Sequence, residues 1–254
     1  MQPIIESLHD EFGLTPVMAA EIECYVMLPE ITQEAADAFF APLAVQWKEL
    51  DVPLLRIEKE RGTQQFEIIT QVTTPARLAA ALATIRQTIE HAAQAQGVAA
   101  NFTGKPLADE PSNGLHIHLH LADDDGINAY HKTDVWTSDA LRWSLGGLLA
   151  RLEAHLPVFF PNPRDYARLN DADHVPKLAG WGVNNRYCAL RIPMNEDPYD
   201  KRIEHRVPCA HADPAAVITA ILEAVLHGLR QHVEPPPQEY GKPQIGLLES
   251  LSGR

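Results

Sequence analysis

Residues 114–121 read Gly-Leu-His-Ile-His-Leu-His-Leu, and this stretch decides how the rest of the chain is read. His116, His118 and His120 alternate with Leu115, Ile117, Leu119 and Leu121. In an extended strand, side chains at i, i+2 and i+4 share one face. The stretch is therefore a strand with an apolar face for packing and an imidazole face. The same alternation recurs elsewhere. Glu21 and Glu23 share a face within an otherwise apolar run at 19–28. Glu58 and Glu60, Gln65 and Glu67, and Arg202, Glu204 and Arg206 are spaced alike.

Each segment alone has a bland reading. A single Glu-x-Glu in a strand ordinarily marks a solvated sheet face, and Arg202, Glu204 and Arg206 could form a surface ion-pair strip of little energetic weight. The joint occurrence suggests more. If one sheet turns these faces to the same side, carboxylates and imidazoles converge. Bare carboxylates that close repel one another until some protonate. Divalent cations relieve the conflict, and an oxygen-rich set with an occasional imidazole favours Mg²⁺ or Mn²⁺ over structural zinc.

Working outward, helical and strand patterns alternate without repeats. Helices are expected at 3–12, closed by Gly13, and at 32–50. The clearest starts after Thr74 and Pro75, buries Leu78, Leu82, Ile85 and Ile89, and ends at Gly97. Two more are expected at 138–156, through Leu141, Leu145, Leu148, Leu149 and Leu152, and from Asp213 to about His232. Strands are expected at 17–28, 54–60, 65–72, 99–104, 114–121, 185–192 and 202–207. Residues 157–180, rich in Pro, Asn and Asp, read as surface loops. The tail from 233 to 254, with Pro235-Pro236-Pro237, reads as extended and poorly packed. No stretch resembles an interdomain linker. The expected fold is a single α+β domain over 1–254, with a core at about 17–232. Its sheet would be curved and mainly antiparallel, with helices packed on the outside.

Composition narrows the function. The 254 residues carry 21 Lys+Arg against 34 Asp+Glu, a net charge of −13, which opposes general binding to nucleic acid or anionic membrane. No apolar run approaches the roughly 18 residues of a membrane span. The N-terminus has neither a basic start nor an apolar signal core, so a cytoplasmic protein is expected. Cys24, Cys188 and Cys209 form no C-x-x-C pair and offer no disulfide framework. Cys24 and Cys188 fall in apolar strands and read as core packers. Phosphate-loop, dinucleotide-binding, nucleophile-elbow and H-E-x-x-H signatures are missing from the sequence.

An ordered series of motifs resembles the catalytic domain of the glutamine synthetase superfamily over about residues 17–230. The series runs Glu21-Ile-Glu23, Glu60-Arg-Gly-Thr-Gln-Gln65-Phe-Glu67, Asn101-Phe-Thr-Gly-Lys105-Pro106, Gly114-Leu-His116-Ile-His118 and Asp125-Gly-Ile-Asn128. It continues with Tyr166-Ala-Arg168-Leu, Trp181-Gly-Val-Asn-Asn185-Arg186, Leu190-Arg191-Ile-Pro193 and Arg202-Ile-Glu204-His-Arg206. The spacing from Glu60 to Glu67 is similar to that of glutamyl-polyamine and glutamyl-amide ligases. The resemblance implies ATP-dependent joining of a carboxylate to an amine through an acyl phosphate. Charge neutralisation and alignment, supplied by metals and arginines, carry such phosphoryl transfer. By motif, Glu23, Glu60 and Glu67 would hold one Mg²⁺ or Mn²⁺, and Glu21, His116 and Glu204 a second. Arg186 would contact the transferring phosphoryl group. Arg202, Arg191, His118 and Lys105 would serve the nucleotide, while Arg168, Arg206, Glu23 and Gly114 would serve the carboxylate substrate.

The sequence departs from the family pattern in four places. Twenty residues precede Glu21, where the family has a β-grasp domain of about a hundred; that domain covers a neighbouring subunit's site and supplies an aspartate for ammonium. Pro111 and Ser112 replace the Asn-Gly pair of the amino-acid site. Asp173 stands in for the flap glutamate, and His120 replaces a nucleotide-contacting Ser. The reading is a reduced ligase using ATP and two or more divalent ions, and joining glutamate or a related amino acid to an organic amine. It would act as a homo-oligomer or with a separate lid-supplying subunit. The alternatives are a simple phosphotransferase and a catalytically silent nucleotide- or metal-binding protein.

Overall fold

The computed structural model describes residues 1–131, 138–171, 173–194, 197, 200–243 and 246–252. In chain order the elements are α1 (Gln2–Phe12), β1 (Thr15–Val26), α2 (Gln33–Glu49), β2 (Leu54–Lys59), β3 (Gln65–Thr70) and α3 (Pro75–Ala95). Next come β4 (Ala100–Asn101), β5 (Leu115–Ala122), α4 (Asp139–Phe159) and a 3-10 segment (Pro163–Asn170). The chain ends with β6 (Leu178–Val183), β7 (Cys188–Ile192), β8 (Ile203–His205), α5 (Pro214–Gln231) and α6 (Leu247–Ser252). The strands form one open sheet in the order β2-β3-β1-β5-β8-β7-β6, with β4 also paired to β1. Pairing is antiparallel throughout except between β6 and β7, which run parallel. This is the mainly antiparallel α+β sheet expected from the alternating strands.

The two-residue period divides the sheet. Met18, Ala20, Ile22 and Cys24 of β1, Ile68 of β3, and Ile117 and Leu119 of β5 belong to one buried cluster. Leu78, Leu82 and Ile85 of α3, Leu145 and Leu148 of α4, and Ile221 and Val225 of α5 complete it from the helical side. The ionisable residues between them point to the other face. Helix ends follow local chemistry. The side chains of Thr32, Ser138 and Asp213 accept from backbone N–H groups three residues on, at 3.1, 3.3 and 2.7 Å. Among the described residues no helix is long and apolar enough to cross a membrane.

Three expectations are corrected. The loop reading of 157–180 hid the 3-10 segment and the first part of β6. The strand at 99–104 shrinks to the two residues of β4, and those at 185–192 and 202–207 to β7 and β8. The tail is extended but packed. Trp181 Nε1 donates to Pro236 O at 2.7 Å, Glu239 N to Trp181 O at 2.9 Å, and Leu247 of α6 is buried. Positions 244, 245, 253 and 254 of that tail lie outside the described residues.

Candidate active site

Strand register builds the site. Glu23 of β1 lies opposite Glu67 of β3, which in turn faces Glu58 of β2. Glu21 lies opposite His116 of β5, His118 opposite Glu204 of β8, and Glu204 opposite Arg191 of β7. One sheet face thus gathers the groups that the alternation marked. Ligand atoms of Glu21, His116 and Glu204 lie within 4.8 Å of one another, and so do those of Glu23, Glu67 and His116. The first trio is the set expected for one metal ion. In the second, His116 stands where Glu60 was expected. Glu60 lies one residue beyond β2, and its carboxylate accepts from Arg61 N at 2.8 Å. It lines the same cavity as both trios without joining either.

Hydrogen bonds fix these groups. Glu21 Oε2 is hydrogen-bonded to His116 Nδ1 at 3.1 Å, and its Oε1 lies 3.1 Å from His118 Nε2. Glu23 Oε2 accepts from Gly114 N at 2.5 Å. Glu204 accepts from Arg191 Nη1 at 2.6 Å and from Arg206 Nη1. Burial, then the carboxylates of Glu21, Glu23, Glu60 and Glu58, push Glu67 up to about 9. Burial likewise raises Glu23. The opposite holds where cations are close. Burial would raise Glu204, but Arg206, His118, His116 and Arg191 outweigh it and hold the carboxyl at about 2. At Glu21 the two histidines outweigh burial and lower it well below the usual range. The face is therefore split between a strip short of positive charge, at Glu23 and Glu67, and one already neutralised, at Glu204.

Arg168 enters from the 3-10 segment and is 1% exposed. Its Nε donates to Asn113 O at 3.0 Å and its Nη2 lies 3.4 Å from His116 Nε2. Its Nη1 has no hydrogen-bond partner among the described residues. The guanidinium fits because residue 114 lacks a side chain: a Cβ there would stand 2.4 Å from Arg168 Nη2 and 2.7 Å from His116 Nε2. Asn113 is buried behind them. It accepts from Gln65 Nε2 at 3.0 Å and donates to the carbonyls of Asn101 and Thr103.

A cavity of about 230 Å³ opens over this face, lined by the two trios, Glu60, Arg168, Asp173, Arg186, Arg191 and Arg206. A second cavity of about 500 Å³ shares Glu21 with the first and is lined by His118, His120, Arg202 and the apolar Leu55, Ile69 and Val72. Arg202 Nε donates to His118 Nδ1 at 3.1 Å. Lys105 is not brought into either cavity. Its ammonium donates to Asp171 and, at 2.6 Å, to Glu110 O, beside a neighbouring recess. Asp173 lies at the mouth, its carboxylate held by Tyr187 OH at 3.0 Å and Lys242 at 2.5 Å. His174 was not marked by the sequence reading, yet Arg186 donates to its Nδ1 at 3.2 Å and Arg206 to its carbonyl at 3.0 Å. It sits in a stretch rich in Asp and Asn with no periodicity to single it out.

The chain matches the family described as glutamine synthetase, catalytic domain, over residues 23–243. It is 36% identical over 140 residues to gamma-glutamylputrescine synthetase PuuA of Escherichia coli (strain K12), covering 55% of this chain and 29% of that protein. It is 30% identical over 179 residues to a glutamine synthetase of Thermococcus kodakarensis, covering 70% of this chain and 40% of that protein. The matched stretches thus span less than half the length of these relatives. Among solved structures, a Plasmodium falciparum glutamine synthetase superposes with a TM-score of 0.85 at 18% identity, covering 96% of this chain and 57% of that one. A GmaS/ADP complex superposes with a TM-score of 0.81 at 22% identity, covering 94% and 60%. These two likenesses concern the fold.

Proposed function

The chain belongs to the glutamine synthetase catalytic-domain family, and on that premise we propose that it is an ATP-dependent carboxylate–amine ligase working through an acyl phosphate. The observation that carries this reading is the pair of ligand trios sharing His116 in a cavity also lined by Arg168, Arg186, Arg191 and Arg206. The donor set fits hard divalent cations, with carboxylate oxygens around one imidazole. The raised Glu67 and Glu23 carboxyls fit as well, since crowded carboxylates of this kind are relieved by a cation. Glu21, His116 and Glu204 would hold one Mg²⁺ or Mn²⁺. Glu23 and Glu67, with Glu60 at the rim, would hold another. Such ions supply charge neutralisation and alignment for phosphoryl transfer.

The chain's own residues supply the rest. Arg186, at the cavity mouth and facing no carboxylate among the described residues, would stabilise the transferring phosphoryl group. Arg191 and Arg206 line the same cavity, each also neutralising Glu204. The buried Arg168, with one Nη unpartnered among the described residues, would receive the substrate carboxylate. The apolar-walled cavity beside His118 and Arg202 would take the nucleotide, with Arg202 on its phosphates. Glutamate or a related amino acid is the favoured acceptor of the phosphoryl group. An organic amine is the favoured nucleophile, which agrees with a relative whose name includes glutamylputrescine.

The test is ADP release with Mg²⁺ or Mn²⁺, crossing glutamate and related amino acids with a panel of amines. Turnover that needs one carboxylate and one amine together supports the ligase. ADP release with a single acceptor and a stable phosphorylated product would make it a phosphotransferase, and no release with any pair would refute both.

A further inference from the structure

His174 is a residue with three constraints on it. Its backbone is left-handed, with φ of 63°, a region that Gly, Asn, Asp and His adopt more readily than other residues. Its carbonyl accepts from Arg206 Nη2 at 3.0 Å, and its imidazole Nδ1 faces Arg186 Nη1 at 3.2 Å. An arginine N–H can only donate, so Nδ1 carries no proton and Nε2 does. His174 and Arg186 also line both the central cavity and a third one, of about 350 Å³, walled by Tyr187, Glu239 and Tyr240.

We propose that His174 is a positioning residue: its imidazole aims Arg186 over the cavity, while its carbonyl ties that aim to the Arg206–Glu204 pair. The inference deepens the ligase reading and rests on it for its kinetic consequence. Arg186 has no carboxylate partner among the described residues, so its guanidinium would otherwise sample many rotamers. One neutral acceptor is enough to orient it without cancelling the charge a phosphoryl group needs. A carboxylate at this place would compete with that group. The link also makes Arg186 sensitive to acid, because an imidazolium offers no lone pair and repels the guanidinium. Arg61, Arg186 and Arg206 face the imidazole from three other parts of the chain, and Asp173 stands beside it on its own loop; Glu239 and Lys242 line the shared third cavity. Partial burial and the three arginines keep His174 below the ordinary histidine value, so it is neutral at pH 7.

Two substitutions test this. Asn accepts left-handed backbone and places a carbonyl oxygen about where Nδ1 lies, but does not titrate. Leu removes the acceptor. With a productive substrate pair and metal kept saturating at each pH, wild type should lose kcat on acidification as His174 takes up its proton, below the ordinary histidine range, whereas His174→Asn should stay within a few-fold of wild type and lack that acid limb. His174→Leu should lose about tenfold in kcat with little change in the KM for ATP. An acid limb that survives in His174→Asn, or a Leu variant with wild-type kcat, would overturn the assignment.

A second readout needs no turnover. In long-range ¹H–¹⁵N spectra of the folded protein, His174 should show the Nε2–H tautomer and a depressed titration, and the depression should lessen in Arg186→Gln. A His174 that titrates as a free histidine in both proteins would sink the proposal even if the ligase is active. Failure of every substrate pair would instead strike the ligase reading, leaving the spectra to decide the His174–Arg186 link.

Discussion

At the scale of single residues, the site depends on two opposite solutions to crowding. Gly114 solves a steric problem: Arg168 and His116 occupy the space a Cβ would take. Gly114→Ala should therefore cost about 1–3 kcal/mol. It should also weaken Mn²⁺ binding, because the displaced groups include His116, common to both trios. Urea unfolding with and without Mn²⁺ checks both effects, and a variant with wild-type stability and metal response would contradict the assigned packing. Glu67 solves an electrostatic problem by keeping a proton. Its folded-state value of about 9 stands above the ordinary 4.5. Between those two values the folded protein binds more protons than the unfolded chain at this group. The group's contribution to stability is therefore full at low pH and is lost as pH rises through about 9. A divalent ion must expel that proton. Calorimetry of Mn²⁺ binding at pH 7 in buffers of different ionisation enthalpy should report about one proton released, and fewer in Glu67→Gln. Release that is unchanged in the variant would place the proton elsewhere.

At the scale of elements, legibility followed periodicity. β1, β3, β5 and β8 each carry alternation strong enough to place their functional side chains on one face, and the register then brought Glu21, Glu23, Glu67, His116 and Glu204 together. β6 was not legible. Its first half falls in the stretch read as loop for its Pro, Asn and Asp, and the two glycines of Leu-Ala-Gly-Trp-Gly-Val leave room for the tail. A Cβ at Gly182 would stand 2.7 Å from Glu239 O, and one at Gly180 2.8 Å from the Glu239 side chain. That pairing is long-range, so no local pattern announces it. Arg168 and Arg186 lie outside regular strands and were reached only through the family resemblance; His174 was reached by neither route. The α4–α5 contact shows the same dependence on small residues. A Cβ on Gly147 would meet Ala224 O at 2.2 Å, and one on Gly228 would meet Trp143 O at 2.0 Å. Gly147→Ala and Gly228→Ala should each destabilise by about 1–3 kcal/mol. The double variant should cost less than their sum, because either methyl alone forces the helices apart. Strict additivity in denaturant titrations would mean the two glycines do not share one contact.

At the scale of the whole molecule, charge is distributed against the general trend. A chain with net charge −13 directs Arg168, Arg186, Arg191 and Arg206 into one cavity, and lines the same cavity with carboxylates that repel one another. The arginines already satisfy Glu204, so the unrelieved repulsion lies at Glu23 and Glu67. Divalent ions bound there would act on the folded state and not on the dispersed carboxylates of the unfolded chain. Binding then appears as stability. At a free ion concentration of 100 times Kd, one site contributes about 2.7 kcal/mol. For a chain of this size that is a rise in Tm of about 5–10 °C. Thermal melts over a series of Mn²⁺ and Mg²⁺ concentrations should show this rise. It should increase from pH 6 to pH 8 as the ion competes less with protons. It should vanish in a Glu21→Gln, Glu67→Gln double variant, which removes one ligand from each trio. Glu67→Gln alone should melt higher than wild type at pH 8 without metal, since folding no longer has to protonate that carboxyl. A metal response that survives in the double variant would move the ion site away from the sheet face, and the ligase reading would lose the observation that carries it.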